Sequence, residues 1–358
     1  MLIYSGLAVA LIAFFVLTFF NSLVFGAEPN VDDLKDAENF KDGVFYNQSE
    51  TETMSPDGSF FKILKEWMNK SKDNIPKSII PVVKTDLKNF KSDEPTIIWF
   101  GHSSYLLFIE GKKILVDPVF YRASPIPIFG KSFPMSYNYK PEDLPEIDIL
   151  LISHDHYDHL DYKTIKELLP KVKHILTSAG VDAHFKLWGT KAAQITSLKW
   201  NDKVELEGFQ FTALTARHFS GRKFKRANTL WSSFDLKTPN YHLYLGGDSG
   251  FDIHFEKIGK EFGPFDLAIL ECGQYGKYWP KIHMLPEEVF KAAIQLNTKV
   301  LFPIHWGKFA LSTHPWKEPI ERLFEKADGE DLPILTPKIG EPLYFTKNTT
   351  PEKWWRKV

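Results

Sequence analysis

Cysteine is almost absent from this chain of 358 residues, where Cys272 stands alone. One thiol cannot form an intramolecular disulfide or supply a cysteine-based zinc cluster. Ligands for any bound metal must therefore come from histidines and carboxylates. The formal net charge is only −1, so the basic footprint of a nucleic-acid binder is missing and we expect no nucleic-acid partner. Internal repeats and low-complexity tracts are also missing, and the 43% of hydrophobic residues suffices for one large core.

Charged side chains are missing from residues 1–27, and an apolar run covers residues 2–25. About 20 such residues span a bilayer as a helix, whereas a cleaved signal peptide has a basic start and an apolar stretch of about 7–15 residues. We therefore expect residues 1–27 to be a single uncleaved transmembrane anchor. A cleaved signal segment is the alternative, because Phe25-Gly26-Ala27 resembles a poor cleavage site. The acidic residues just after the run favour placing the rest of the chain outside the cytoplasm.

Composition and hydrophobic pattern divide the remaining chain into three parts. Residues 28–85 read as a polar linker and N-terminal extension, in which residues 60–68 have helical spacing and are expected to pack on the main body. Residues 86–346 alternate short apolar runs with helical patterns, which predicts one layered α/β domain. Residues 347–358 form a C-terminal tail. The predicted strands are 96–100, 105–109, 114–117, 148–153, 174–177, 209–214, 242–245, 267–270 and 299–302, and the predicted helices are 164–169, 252–259 and 286–296.

A dense group of potential metal ligands follows the apolar strand at 148–153. It contains His154, His156, Asp158 and His159 within six residues. His154 and His156 are two apart, so in extended backbone their side chains point the same way and can share one ion. Asp158 and His159, past the turn, can face a second ion. Imidazole and carboxylate groups suit Zn²⁺, and an open position on each ion leaves room for a bridging hydroxide.

Three more candidates follow other apolar strands. His218 comes after the strand at 209–214, Asp248 after 242–245 and His305 after 299–302. Each alone is more often an ordinary loop residue, but their shared placement at strand ends is typical of an α/β site. We predict that His154, His156 and His218 hold one ion, that Asp158, His159 and His305 hold the other, and that Asp248 bridges them.

The order H-x-H-x-D-H, then single His, Asp and His residues, is identified as that of the metallo-β-lactamase superfamily. Further blocks are more specific, and together they resemble the N-acyl-phosphatidylethanolamine-hydrolysing phospholipase D family and its bacterial relatives from about residue 60 to about 345. These blocks are WFGHSS at 99–104, LVDP at 115–118, SHDHYDHLDY at 153–162, GDSG at 247–250, FGPFDLA at 262–268 and IHWGKFAL at 304–311.

The resemblance implies an αββα sandwich with two zinc ions, or other divalent metals, in the groove between its sheets. It also implies phospholipase D-type hydrolysis of N-acylated phosphatidylethanolamine or a related membrane phospholipid. His283 matches a position near the phosphate, where it can contact the phosphate or protonate the leaving oxygen, and Asp248 can orient or deprotonate the nucleophile. The channel segment 273–279, with Tyr275 and Trp279, differs from that of the animal enzymes, and Asp155 stands where they carry an amide.

His102 and Asp117 each lie next to a predicted strand and are expected to orient metal ligands from outside the coordination shell. The alternative for both is hydrogen bonding within turns. The basic residues Arg217, Arg222, Lys223, Lys225 and Arg226 either contact lipid phosphates or form a solvated loop.

Rival functions stay open at this point. They are a metal-dependent lactonase or another hydrolase of the same fold, and a non-catalytic lipid-binding member. A homodimer is a further possibility.

Overall fold

The computed structural model describes residues 18–223, 225–347 and 352–358. Strands and helices are interleaved along the chain, as the apolar pattern predicts. The strands are β1 (Phe40–Lys41), β2 (Val44–Phe45), β3 (Thr96–Trp99), β4 (Tyr105–Ile109), β5 (Lys112–Val116), β6 (Ile147–Ile152), β7 (Val172–Ser178), β8 (Ile195–Leu198), β9 (Lys203–Leu206), β10 (Phe209–Leu214), β11 (Ser233–Lys237), β12 (His242–Leu245), β13 (Leu267–Glu271), β14 (Leu301–Ile304) and β15 (Pro342–Tyr344). The α-helices are α1 (Phe60–Met68), α2 (Tyr162–Leu168), α3 (Asp182–Leu187), α4 (His254–Glu261), α5 (Pro286–Gln295) and α6 (Glu318–Lys326).

Two sheets form the centre of the molecule. One has seven strands in the order β15-β3-β4-β5-β6-β7-β8, and the other has six in the order β14-β13-β12-β11-β10-β9. The run β5-β6-β7-β8 is parallel, as is β12-β13-β14. Parallel neighbours end at the same edge of a sheet, so the loops that follow these strands collect there.

Side-chain alternation along β4 shows how the layers stack. Tyr105, Leu107 and Ile109 belong to the core that also contains the inner residues of the six-stranded sheet. Leu106 and Phe108 belong to a second core together with residues of α2 and α3. Helices α4 to α6 contribute to the first core from the outer side of the six-stranded sheet. The expected αββα sandwich is therefore present.

The predicted membrane anchor is wrong in the part that the structure describes. Residues 1–17 lie outside the described residues. From Thr18 the chain is helical only to Phe20 and then forms a short 3₁₀ helix, Leu23–Phe25. No helix among the described residues is long and apolar enough to cross a membrane. The expected placement of the domain outside the cytoplasm depended on that anchor and loses its basis.

The physical reason lies in the contacts of residues 22–27. Trp188 Nε1 donates a hydrogen bond to the Leu23 carbonyl at 2.9 Å, and the Ala27 amide donates to His184 Nδ1 at 3.0 Å. The Phe25 ring is buried against the domain. Protein groups thus satisfy a backbone that a membrane helix would have satisfied internally.

The two flanking segments also contact the domain. In residues 28–85, Asn47 Nδ2 donates to the His218 carbonyl at 2.8 Å, and the His218 amide donates back to Asn47 Oδ1 at 3.0 Å. In the C-terminal tail, Trp354 and Trp355 are buried, and Trp354 stacks on Trp306. Both segments therefore support the loops that surround the strand ends.

Candidate metal centre

Four strand ends converge on one pocket between the sheets. His154 follows β6, His218 follows β10, Asp248 follows β12 and His305 follows β14. A glycine permits the approach of two of these loops, since a Cβ on Gly247 would lie 2.8 Å from the Ser153 side chain and 2.9 Å from the Ser232 carbonyl. Side chains separated by up to 151 positions along the sequence thereby become neighbours.

The predicted ligands form two adjacent groups, and Asp248 of the first also approaches His159 and His305 of the second. In each group, one donor atom per residue lies within 4.8 Å of the others. The first group is His154, His156, His218 and Asp248. The second is His102, Asp158, His159 and His305. The structure thus brings together all seven residues predicted as ligands and adds His102 to them.

Asp248 lies between the two groups, and each of its oxygens faces a different one. Oδ2 is 3.8 Å from His154 Nε2 and 3.6 Å from His218 Nε2. Oδ1 is 3.2 Å from His159 Nε2 and 3.1 Å from His305 Nδ1. A carboxylate in this position can bridge two cations, as the sequence pattern predicts for Asp248.

The donor set fits a bound cation. Asp248 Oδ1, His159 Nε2 and His305 Nε2 are buried and have no hydrogen-bond partner among the described residues. Buried polar atoms without a partner are costly in a folded protein, so their convergence indicates a ligand. Nitrogen and carboxylate donors without sulfur suit zinc and other borderline divalent metals.

The electrostatics favour the same conclusion. Burial holds the pKa of His154, His218 and His305 well below the ordinary histidine value, so these rings are neutral and free to bind a metal at neutral pH. At His159 burial also lowers the pKa, but Asp248 and the other nearby carboxylates outweigh it and the net pKa is raised. Carboxylates that stabilise a proton there equally stabilise a metal cation.

Residues around the ligands fix their orientation. Asp117 Oδ2 accepts hydrogen bonds from His159 Nδ1 at 2.8 Å and from the Ser153 hydroxyl at 2.6 Å, and Asp117 Oδ1 accepts from the Ser153 amide at 2.8 Å. His102 Nε2 lies 3.0 Å from Asp158 Oδ2. The His218 ring donates from Nδ1 to the Ile282 carbonyl at 2.8 Å, which leaves Nε2 for the pocket.

Three residues of this site have a strained backbone. His102, Asp117 and His305 have φ angles of 55°, 42° and 68°, in the left-handed region that residues other than glycine rarely adopt. Each such residue costs on the order of 1 kcal/mol and persists only where its surroundings enforce it. The fold therefore holds these three residues in costly backbone conformations that place their side chains at the site.

Replacing Asp117 by asparagine is expected to weaken metal binding by about 10–100-fold, the usual effect of losing a partner behind a metal-binding histidine. An amide cannot satisfy the ring of His159 and both donors of Ser153 as the carboxylate does. Competition with a chromophoric chelator measures the metal affinity. Asp148→Asn is the matched control, because Asp148 lies on β6 at the opposite end from the site and pairs with Lys173. Equal affinities for the two variants would contradict the prediction.

His283 lies beside the two groups and forms a third, overlapping candidate group with Asp248 and His305. Its ring centroid is 5.1 Å from that of His218 and 5.2 Å from that of His305. Its Nδ1 is 3.4 Å from Glu271 Oε1, and the same oxygen accepts a hydrogen bond from the Met284 amide at 2.8 Å. Burial raises the pKa of Glu271 to about 7. The sequence interpretation missed Glu271, although it ends an apolar strand as the ligands do.

The two predicted channel residues differ in their surroundings. Tyr275 is buried, and its hydroxyl donates to Glu318 Oε1 at 2.7 Å, so its polar end is directed at α6. Trp279 is half-buried and donates from Nε1 to the Gln274 carbonyl at 2.8 Å. Gln274, which the sequence interpretation did not single out, donates to the His305 carbonyl at 3.4 Å. The segment 273–279 therefore borders the site chiefly through its backbone and Gln274.

Comparison with known families agrees with this geometry. The family profile described as "Beta-lactamase superfamily domain" matches residues 112–306, which include β5 to β14 and all the predicted ligands. The chain belongs to the beta-lactamase superfamily. Within that superfamily it is a metal-dependent hydrolase with candidate His/Asp clusters for metal.

Individual relatives of this superfamily member cover most of its length. An uncharacterized protein of Mycobacterium tuberculosis is 36% identical over 327 residues, which are 89% of this chain and 87% of the relative. The N-acyl-phosphatidylethanolamine-hydrolyzing phospholipase D 1 of Caenorhabditis elegans is 32% identical over 300 residues, 76% of this chain and 83% of the relative. Among solved structures, the metallo hydrolase Igni18 of Ignicoccus hospitalis has a TM-score of 0.54 at 17% identity and covers 70% of this chain and 97% of its own. The last comparison confirms the metallo-β-lactamase fold.

Proposed function

We propose that this protein is a zinc-dependent phosphodiesterase of the phospholipase D type that hydrolyses N-acylated phosphatidylethanolamine or a related membrane phospholipid. The observation that carries the proposal is the pair of donor groups joined at Asp248, which offers places for two adjacent cations. Two such cations supply Lewis acidity and activate water at neutral pH, which suits displacement at a phosphodiester. The name of the worm relative supports the substrate class.

The residues that would hold the ions follow from the two groups. His154, His156 and His218 provide three nitrogens on one side of Asp248. Asp158, His159 and His305 provide the donors on the other side, with His102 bonded to Asp158. With the shared carboxylate, each ion would have four protein ligands, so water or substrate would bind as a fifth ligand, an expansion of the coordination shell that catalytic zinc accepts.

The reaction places one proton-transfer demand on the protein. Water oxygen forms a bond to phosphorus, the bond from phosphorus to the head-group oxygen breaks, and the products are phosphatidic acid and an N-acylethanolamine. The departing oxygen needs a proton. His283 is suited to provide it, because its Nδ1 faces Glu271 and its Nε2 is left for the substrate. Burial lowers the pKa of His283, but Glu271 and Asp248 outweigh burial and the net pKa is raised.

Asp248 has a second task in this scheme. Its two oxygens lie at the junction of the groups, where an attacking water must also lie if both ions are to act on it. The carboxylate is therefore suited to orient that water. Burial raises the pKa of Asp248, but His159 and His305 outweigh burial and the net pKa is lowered, which keeps the carboxylate ionised.

Product identification on a lipid panel tests the proposal. The purified, zinc-loaded protein is incubated with N-acyl-phosphatidylethanolamine, phosphatidylethanolamine, phosphatidylcholine and a set of lactones, in water enriched in ¹⁸O. We expect phosphatidic acid that carries one ¹⁸O in its phosphate, together with an unlabelled N-acylethanolamine. Elemental analysis of the same sample reports the metal. Lactone opening without phosphatidic acid from any phospholipid would reject the proposal in favour of a lactonase, and the absence of all turnover would favour a binding protein.

A further inference from the structure

Helix α1 exposes an apolar face to solvent. The α1 face consists of Phe60, Phe61, Leu64 and Met68, whose side chains are 71%, 79%, 45% and 79% exposed. The spacing 60, 64, 68 repeats every four residues, which places these side chains on one side of the helix. A surface helix of a globular protein normally turns such a side towards the core. No residue of α1 is buried.

The opposite side of α1 fixes the helix to the domain. Ile63 and Trp67 are half-buried, and Glu66 Oε1 accepts a hydrogen bond from the Thr313 hydroxyl at 3.0 Å. The helix begins with a regular cap, since Ser59 Oγ accepts from the Lys62 amide at 3.3 Å. The helix is thus held in one orientation by the side that carries Ile63, Glu66 and Trp67, with the α1 face outward.

A short chain of contacts connects α1 to the metal centre. The Ser71 amide donates to the Thr313 carbonyl at 3.4 Å, and the neighbouring His314 Nε2 accepts from the Gln274 amide at 3.0 Å. Gln274 in turn donates to the His305 carbonyl. On the other side, the Ser55 amide donates to the Tyr278 carbonyl at 2.8 Å. The residues that flank α1 on both sides therefore contact the segment 273–279 that borders the site, or its neighbours.

The charges beside the α1 face are predominantly positive. Between residues 57 and 73 the basic side chains are Lys62, Lys65, Lys70 and Lys72, all exposed, and the acidic ones are Asp57, Glu66 and Asp73, of which Asp73 pairs with Lys77. Glu66 is engaged with Thr313. Apolar residues on one side of a helix with lysines beside them are the pattern of helices that lie in the interface of a membrane with anionic lipids.

We propose that the α1 face binds reversibly to the surface of an anionic phospholipid bilayer and brings the neighbouring site to its lipid substrate. The delivery of substrate rests on the proposed function, whereas membrane binding itself rests only on the properties of α1. It concerns a helix lying in the head-group region and requires no membrane-spanning segment. The bilayer is favoured over a protein partner because it accepts exposed apolar side chains and lysine charge without a shaped complementary surface.

Vesicle sedimentation with a triple variant tests the contact. The full chain and its Phe60→Ser/Phe61→Ser/Met68→Ser variant are compared on vesicles of phosphatidylcholine with and without phosphatidylserine. We expect the variant to bind the mixed vesicles at least about tenfold more weakly, since each lost phenylalanine removes apolar burial worth about that factor. It should fold normally because the changed side chains are exposed, which circular dichroism checks. Leu187→Ser/Ile253→Ser/Ile294→Ser, at exposed apolar positions outside α1, is the matched control and should bind as the unchanged protein does.

A variant with reversed lysine charges and assays of hydrolysis provide further tests. Lys62→Glu/Lys65→Glu should weaken binding to mixed vesicles by about fivefold per lysine and leave binding to pure phosphatidylcholine unchanged.

Hydrolysis of phospholipid in vesicles should fall in the serine variant, while hydrolysis of dissolved bis(para-nitrophenyl) phosphate stays constant. If the proposed function fails, turnover is absent in every variant and sedimentation still decides the contact. Equal vesicle binding by the serine variant and the unchanged protein would overturn the inference, as would a dimer in solution that the serine variant converts to a monomer.

Discussion

Replacing Asp248 by asparagine is expected to reduce hydrolysis by at least about 100-fold and to lower the metal bound per chain. Loss of groups that merely orient metal ligands already costs about 10–100-fold, and Asp248 lies inside the cluster itself. Both of its oxygens face histidine nitrogens at 3.1–3.8 Å, so an amide leaves one group without negative charge. Elemental analysis measures the metal, and product formation from the lipid panel measures the rate.

Asp252→Asn is the matched control for this substitution. Asp252 lies four residues further along the same loop, and its Oδ2 is 3.8 Å from Arg217 Nε, away from the cluster. We expect it to keep its metal and its rate. Full metal content and an unchanged rate in Asp248→Asn would refute the bridging role, although the fold would stand.

The Arg222→Ala variant is expected to lose about 3 kcal/mol or more of its free energy of unfolding. Arg222 is buried and donates to the carbonyls of Asp155, Leu160 and Val24 at 2.7–3.3 Å. Each buried acceptor left without its donor costs about 1–3 kcal/mol. The guanidinium also lies 4.1 Å from the centre of the Tyr157 ring. Denaturant-induced unfolding of the metal-free protein measures the loss.

Two further variants make this prediction specific. Arg222→Lys should be intermediate, because a single ammonium group lacks the planar fork that reaches three carbonyls. Arg226→Ala, at an exposed position four residues on, should change the stability by no more than about 0.5 kcal/mol. An Arg222→Ala variant with the stability of the unchanged protein would show that the N-terminal segment (residues 22–27) and the metal loop (residues 154–160) are not coupled through this side chain.

Arg222 also shows why part of the site could not be predicted. The sequence placed it in a basic run and offered a solvated loop or lipid phosphates as alternatives, and neither describes a buried side chain. Its partners lie 62 to 198 positions away along the chain. His184 is similar, since its ring bonds to Asp155 at 3.0 Å and to the amide of Ala27. Local sequence around either residue carries no signal of these partners.

Helix α1 and the N-terminal segment illustrate the same limit. The spacing at residues 60–68 predicts an amphipathic helix, which is present, but it does not say whether the apolar side is covered. The helix contacts the main body through the side with Ile63, Glu66 and Trp67, whereas the α1 face is exposed. Similarly, hydropathy at residues 2–25 does not reveal that residues 22–27 find hydrogen-bond partners on the domain.

By itself, the sequence determined the kinds of ligand, their positions after apolar strands and the layered α/β architecture. These depend on residue chemistry and on the short periods of strands and helices, which are local properties of a chain. Only the tertiary structure decided that Asp248 faces both donor groups, that Glu271 pairs with His283, that Arg222 joins the N-terminal segment to the metal loop, and that α1 presents its apolar face outward. Each of these depends on distances between residues remote in sequence, which are fixed when the sheets stack and their loops meet at one edge.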